Sequence, residues 1–165
     1  MKRLILVRHA KSDWSLPDQE DWDRPLNARG QRDAPEMARR LRSRRIKPDR
    51  ILSSPAVRAL TTATVMAREL RVAPSLLHAE ERLYLATPAD LLAVLRELGA
   101  GARQLMVVGH NPGITEFANR LSAEDTIDNM PTCAVFTARF DIAGWEALDW
   151  GHGEDAEFDY PRKPA

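Results

Sequence analysis

Leu4-Ile5-Leu6-Val7-Arg8-His9-Ala10-Lys11-Ser12 is the stretch whose reading decides the fold. Four apolar residues in a row form a short buried strand, and the run stops abruptly at a cation beside an imidazole. In open α/β sheets, ligands sit just past the carboxyl ends of strands. A strand that delivers Arg-His to such an edge is a device for holding a nucleophile beside an anion. The same residues also read as a core strand with a polar stop, and the rest of the chain has to decide between the two.

Downstream, residues 11–28 are rich in Asp, Pro and Trp and have no period, as in a loop lying over the strand end. Asn27 is placed to cap a helix whose buried stripe is Ala34, Met37, Ala38 and Leu41. Arg32, Arg39, Arg40, Arg42, Arg44 and Arg45 share its other face, which reads as solvated rather than as a nucleic-acid patch, because no aromatics interleave. Arg50–Ser53 is a second strand, and Ser54-Pro55 reads as an N-cap with proline at the first helical position. Leu60, Ala63, Ala67 and Leu70 are the buried stripe of that helix. Leu76-Leu77 reads as a third strand, and a third helix from Pro88 buries Leu91, Val94, Leu95 and Leu98 before Gly99 and Gly101. Leu105–Val108 is a fourth apolar run, ending at Gly109-His110-Asn111-Pro112, with Asn111 as cap of a fourth helix. Ala134–Phe140 and Trp145–Leu148 read as a closing hairpin across Gly144, and the acidic residues 154–159 as a surface tail within 151–165.

Strands alternating with helices predict a three-layer α/β/α architecture, a mostly parallel sheet with helices on both faces, in a single domain over residues 1–165. The length suits one sizeable core. Lys+Arg and Asp+Glu are both 24, so nothing global draws the chain to nucleic acid or membrane. The single cysteine, Cys133, has no internal disulfide partner and reads as a core residue. No apolar run reaches the length of a signal peptide core or a membrane span. These totals predict a soluble cytoplasmic protein.

Three strand ends thus carry polar residues beside helix starts: Arg8-His9, then Ser53-Ser54-Pro55 with Arg58, then His110-Asn111-Pro112. Helix N-termini suit a phosphate, and the fork of an arginine one turn inside a helix reaches back to bind oxyanions. Two arginines and two histidines, without a nucleophilic Ser or Cys nearby, point to phosphoryl transfer through histidine. Zinc fits poorly: His9 and His110 lack a third ligand at short spacing, and the arginines repel a divalent cation. No cofactor is called for. His78 and His152 have no partners at ligand spacing, Trp14 and Trp22 either wall the pocket or pack under the loop, and Lys11 and Asp13 lie at its rim or in solvent.

The segments Arg8–Ser12, Arg24–Gly30, Ser53–Ala63 and Val108–Pro112 together resemble the histidine phosphatase superfamily, the phosphoglycerate mutase-like group. Ala10-Lys11-Ser12, where mutases usually have Gly-Glu-Ser, resembles its small SixA-type phosphohistidine phosphatases. The likeness covers nearly the whole chain in order. It implies the phosphoglycerate mutase-like fold, His9 as a transiently phosphorylated nucleophile, and Arg8, Arg58 and His110 as the phosphate pocket. Ser12 and Asn111 are expected to add substrate contacts, although Ser15 stands where mutases place an asparagine. Glu81-Arg82-Leu83-Tyr84 resembles the mutase segment whose glutamate is acid and base, so Glu81 is the first candidate for proton donor, with Glu80, Asp18 and Asp21 as rivals. The implied activity is a metal-independent phosphatase. The expected partner is a phosphorylated protein such as a histidine phosphotransfer domain, or else a small phosphorylated substrate. A short connection between third strand and third helix leaves the site shallow and open, which favours the protein. A module that binds phosphate without turning it over is the remaining alternative.

Overall fold

The apolar run Leu4–Val7 has no exposed surface because it lies mid-sheet, with a neighbour on each side and helices above and below. In the computed structural model, which describes residues 1–123 and 126–164, this strand is β1 (Lys2–Arg8). Parallel β4 (Gln104–Gly109) flanks it on one side and antiparallel β5 (Val135–Phe140) on the other. Parallel β2 (Arg50–Ser53) and β3 (Leu77–Ala79) extend the first side, and antiparallel β6 (Glu154–Asp159) closes the second, giving the order β3-β2-β4-β1-β5-β6.

Side chains alternate between the two faces of β1. Ile5 and Val7 meet α1 (Ala28–Ser43) and α2 (Val57–Glu69) through Met37, Leu41, Ala63 and Met66. Leu4 and Leu6 meet α3 (Pro88–Leu98) and α4 (Gly113–Leu121) through Leu91, Leu95, Ile114 and Phe117. The result is the three-layer, mostly parallel arrangement expected. Asn27 caps α1 by accepting from the amide of Gly30 at 2.9 Å, and Thr87 with Asp90 forms a capping box on α3. The other two helices start one or two residues later than their sequence signals. Ala56 and Pro112 are the N-caps of α2 and α4, because Ser54 and Asn111 are committed to side-chain partners in the site described below.

Two expectations near the carboxyl end are corrected. Trp145–Leu148 is not a strand: Trp145–Ala147 forms one 3-10 turn that drives the indole into the core, where its Nε1 donates to Ala102 O at 2.7 Å. The acidic residues 154–159 are not a surface tail. They are β6, with Ala156 and Phe158 packed on the core and Glu157 and Asp159 turned towards α1. That explains the arginine face of α1, which is only partly solvated. Arg44 pairs with Glu157 at 2.6 Å, Arg40 pairs with Asp159 at 3.2 Å and also donates to Tyr160 O and Pro161 O, and Arg162 returns to Asp33 at 2.6 Å.

The burial of Trp145 makes it a keystone of the carboxyl-terminal half. Trp145→Ala is expected to lower stability by about 3–5 kcal/mol, against within about 0.5 kcal/mol for Glu154→Ala on the exposed edge, measured by urea denaturation.

Candidate active site

Because β1, β4 and β2 are adjacent and parallel, their carboxyl ends share one edge. Arg8 lies opposite Gly109, and Ser53 opposite Val108. The next residue of each strand leaves the sheet at that edge, so His9, His110 and Ser54 emerge side by side. α2 then starts immediately beyond β2 and places Arg58, at 5% exposure, in its first turn. Thr62 fixes that turn to β1, since its Oγ accepts from the amide of Ala10 at 3.0 Å and donates to Arg58 O at 2.8 Å. The start of α1 is pressed on the same loop: a Cβ at Gly30 would lie 2.3 Å from Lys11 O, which only glycine avoids.

Arg58 is the hub. Its Nε points at His9 Nε2 at 3.4 Å, and Nη2 at His110 Nδ1 at 3.3 Å. Nη1 donates to Asp21 O at 2.7 Å, and Nη2 also donates to the Asp21 carboxylate at 2.9 Å. The two imidazole rings are 5.2 Å apart. Arg8 donates to Met130 O at 2.9 Å, while its buried Nε has no partner among the described residues.

These contacts fix the tautomers. His9 Nδ1 lies 2.8 Å from Ala10 O, and a carbonyl only accepts, so Nδ1 carries the hydrogen and Nε2 presents its lone pair to the pocket. His110 is reversed. Its Nδ1 faces a guanidinium that only donates, so Nε2 carries the hydrogen and gives it to Ser54 Oγ at 2.7 Å. Burial pushes His9 down to about 4, with the charges of Arg58 and Arg8 adding to it against the opposing bond to Ala10. Burial, then His9 and Arg58, push His110 down to about 3. Both rings are neutral at pH 7. Burial and Arg58 also hold Arg8 below the usual arginine range.

Asp21 sits on a 3-10 turn, Asp21–Asp23, in the long loop after β1. Burial pushes its carboxyl up, but hydrogen bonds from Tyr84 and Arg58, with the charge of Arg58, outweigh this and hold it below the ordinary carboxylate range. The Tyr84 hydroxyl donates to it at 2.5 Å, and the Tyr84 ring stands edge-on to His110 with Trp22 packed against it at a tilt.

Arg8, His9, Arg58 and His110 line one cavity of about 330 Å³, with Lys11, Ser12, Trp14, Asp21, Leu85, Asn111 and Thr132. Ser12 is in its wall and accepts from Trp14 Nε1 at 3.1 Å. Asn111 also lines it, yet its amide is spent on support. Nδ2 donates to Asn129 Oδ1 and Met130 O, and Oδ1 accepts from Thr115. Glu81, the first sequence candidate for proton donor, is exposed on the 3-10 turn Glu81–Leu83 and does not line the cavity. Glu80 is bonded to Arg82 and paired with His78, and Asp18 is exposed. The carboxylate that arrives is Asp21, followed by Tyr84. Neither lies in a periodic segment, and the only signal for Asp21 was its place in an aperiodic loop before Arg24-Pro25. Arg24 explains that motif: nearly buried, it lies 3.8 Å over the Trp14 ring and donates to Leu16 O and Gln19 O, holding the loop in place.

Chemically, a neutral ring nitrogen whose lone pair faces the cavity, backed by an N–H···O bond and surrounded by cationic and polar donors, has the make-up of a nucleophile beside an oxyanion pocket.

Residues 4–83 match the family model of the histidine phosphatase superfamily (branch 1). An uncharacterized protein of Mycobacterium tuberculosis, Rv1276c, is 33% identical over 167 residues, covering 94% of this chain and all of that one. Among solved structures, the putative phosphohistidine phosphatase SixA from Agrobacterium tumefaciens is 28% identical with a TM-score of 0.77, covering 84% of this chain and 92% of its own. A protein histidine phosphatase SixA complexed with tungstate shares the fold at 22% identity and a TM-score of 0.77, covering 96% of this chain and 94% of its own. With motifs, sheet order and relatives in agreement, the chain belongs to the histidine phosphatase superfamily and has the phosphoglycerate mutase-like fold of SixA.

Proposed function

We propose that the protein hydrolyses a phosphoryl group carried on a protein histidine, without a metal ion, through a phosphorylated His9. The observation that carries this reading is the lone pair of His9 Nε2, held neutral and aimed at Arg58 inside the cavity. Arg8, Arg58 and His110 hold the phosphoryl oxygens. His9 Nε2 attacks phosphorus as the bond to the substrate nitrogen breaks, and that nitrogen leaves with the electron pair and takes up a proton from solvent through the open mouth of the cavity. Water then attacks the phosphoryl on His9, the P–N bond returns its electrons to Nε2, and inorganic phosphate is released. Bound phosphoryl charge draws a proton to His110 Nδ1, which turns from acceptor to donor on a phosphoryl oxygen.

The carboxylate in the cavity favours a P–N over a P–O substrate. Asp21 is held ionised by Arg58 and Tyr84, so at neutral pH it has no proton to offer. An alkoxide leaving group needs that proton badly, and an imidazole needs it far less. A histidine phosphotransfer domain is therefore the favoured substrate. No helix among the described residues is long and apolar enough to cross a membrane.

Labelled phosphohistidine substrate is expected to leave acid-labile, alkali-stable label on the wild type and none on His9→Ala. Arg58→Ala should lose ~10²–10³ in rate, as on removing one oxyanion contact. Full turnover should persist in a chelator. Retained activity in His9→Ala would falsify the covalent route, and faster turnover of sugar phosphates or nucleotides would replace the phosphohistidine substrate.

The depressed histidines also set a pH dependence. Folded His9 protonates near 4, whereas unfolded histidine protonates near the ordinary 6.5, so between these values the unfolded chain binds more protons. Stability should therefore be complete above about pH 6.5 and fall on acidification, by up to about 1.4 kcal/mol per pH unit for each of His9 and His110. Nitrogen NMR is expected to show both rings neutral at pH 6, with hydrogen on Nδ1 of His9 and on Nε2 of His110. Added vanadate should raise the His110 pKa.

A further inference from the structure

Six large apolar side chains are exposed among the described residues: Met1, Trp14, Leu16, Trp22, Leu76 and Leu85. Two of them, Trp14 and Leu85, line the cavity, and two more lie on the same loop as Trp14 beside residues that do: Leu16 is two residues from Trp14, and Trp22 adjoins Asp21 and packs at a tilt on Tyr84.

Their exposure is built, not incidental. Trp14 is 61% exposed although two contacts hold it: Arg24 lies on its ring and its Nε1 is tied to Ser12, while the same Arg24 anchors Leu16 O. A nearly buried arginine is thus spent on holding an indole out in solvent. Leu85, at 55% exposure, has φ of +50°, a left-handed conformation unfavourable for leucine that Asn or Gly would adopt at lower cost. Leu83 and Ala86 on either side of the turn are buried, and the left-handed residue between them points its own side chain outward at the cavity mouth.

We infer that this apolar mouth is the docking surface for a folded phosphoprotein, which presents its phosphorylated histidine from an apolar patch of its own. The inference rests on the phosphohistidine reading above and adds where the partner is held. Apolar clusters framing a functional pocket are a common form of protein-binding site. Continuity with the cavity supports this: Trp14 and Leu85 line the same cavity as Arg58 and His110, so the side chain carrying a phosphoryl group held there leaves past them. The surface beyond then meets Leu16 and Trp22. Rigid aromatic anchors at the centre of such a contact carry much of its binding.

The test compares a folded, histidine-phosphorylated phosphotransfer domain with free phosphohistidine as substrates of wild type, Leu16→Gln and Leu85→Asn. Leu16→Gln adds no charge, lies outside the cavity lining and should leave turnover of free phosphohistidine unchanged. On the folded domain it should raise KM about tenfold, the loss expected when an interface contact of moderate weight is removed. Leu85→Asn keeps the left-handed backbone and should also raise KM on the folded domain. Unchanged KM on the folded domain for both variants, or equal loss on both substrates for Leu16→Gln, overturns the docking surface while leaving the phosphatase intact. Absence of His9-dependent turnover of either substrate by the wild type overturns the phosphatase reading, and the docking surface with it.

Discussion

A guanidinium cation can donate hydrogen bonds but never accept one, and that constraint organises everything around Arg58. It turns lone pairs, not hydrogens, towards the centre of the site. His9 meets it by giving its hydrogen to a backbone carbonyl, and His110 by giving its hydrogen to Ser54. Both imidazoles are thereby held uncharged in a place where burial and neighbouring cations already disfavour protonation. Asp21 completes the balance by offsetting the positive charge of a nearly buried arginine, which would otherwise be costly to desolvate.

Rigidity comes from the sheet. His9 and His110 are carried on the first residues past two hydrogen-bonded central strands, so their spacing follows from register rather than from loop conformation. Arg58 is tied to the same strand end by the double role of the Thr62 hydroxyl. Loops supply the rest of the lining: Asp21, Trp14 and Leu85 all come from connections beyond the carboxyl edge, as expected of a scaffold that separates stability from specificity.

Sequence reading succeeded where a residue lay on a periodic element or at its end. Apolar runs marked β1, β2 and β4, Leu76-Leu77 marked only the start of β3 because Leu76 closes a 3-10 turn, and the polar residues stopping three runs are the ones that meet around one cavity. It failed where tertiary contacts overrode local signals. Glu154–Asp159 reads as a solvated tail because its carboxylates dominate, yet the alternation of Ala156 and Phe158 was there, and the arginines that neutralise it lie on a helix more than a hundred residues earlier. Trp145 reads as strand by propensity but is pulled into the core by a carbonyl acceptor far away in sequence. Asp21 was one carboxylate among several, because nothing local distinguishes the residue that a loop happens to fold back over Arg58.

The acidic character of β6 has a consequence for the molecule as a colloid. An outermost strand offers unpaired backbone groups to any other strand that approaches, which invites sheet-to-sheet growth between molecules. Here the outermost strand bears Glu154, Asp155, Glu157 and Asp159, so like charge would meet like charge if a second copy aligned along it. Arg44 and Arg40 of α1 pair with Glu157 and Asp159, and Arg139 of β5 pairs with Asp155, so an approaching copy would have to compete with three ion pairs as well as meet Glu154, a guard on the rim that salt weakens.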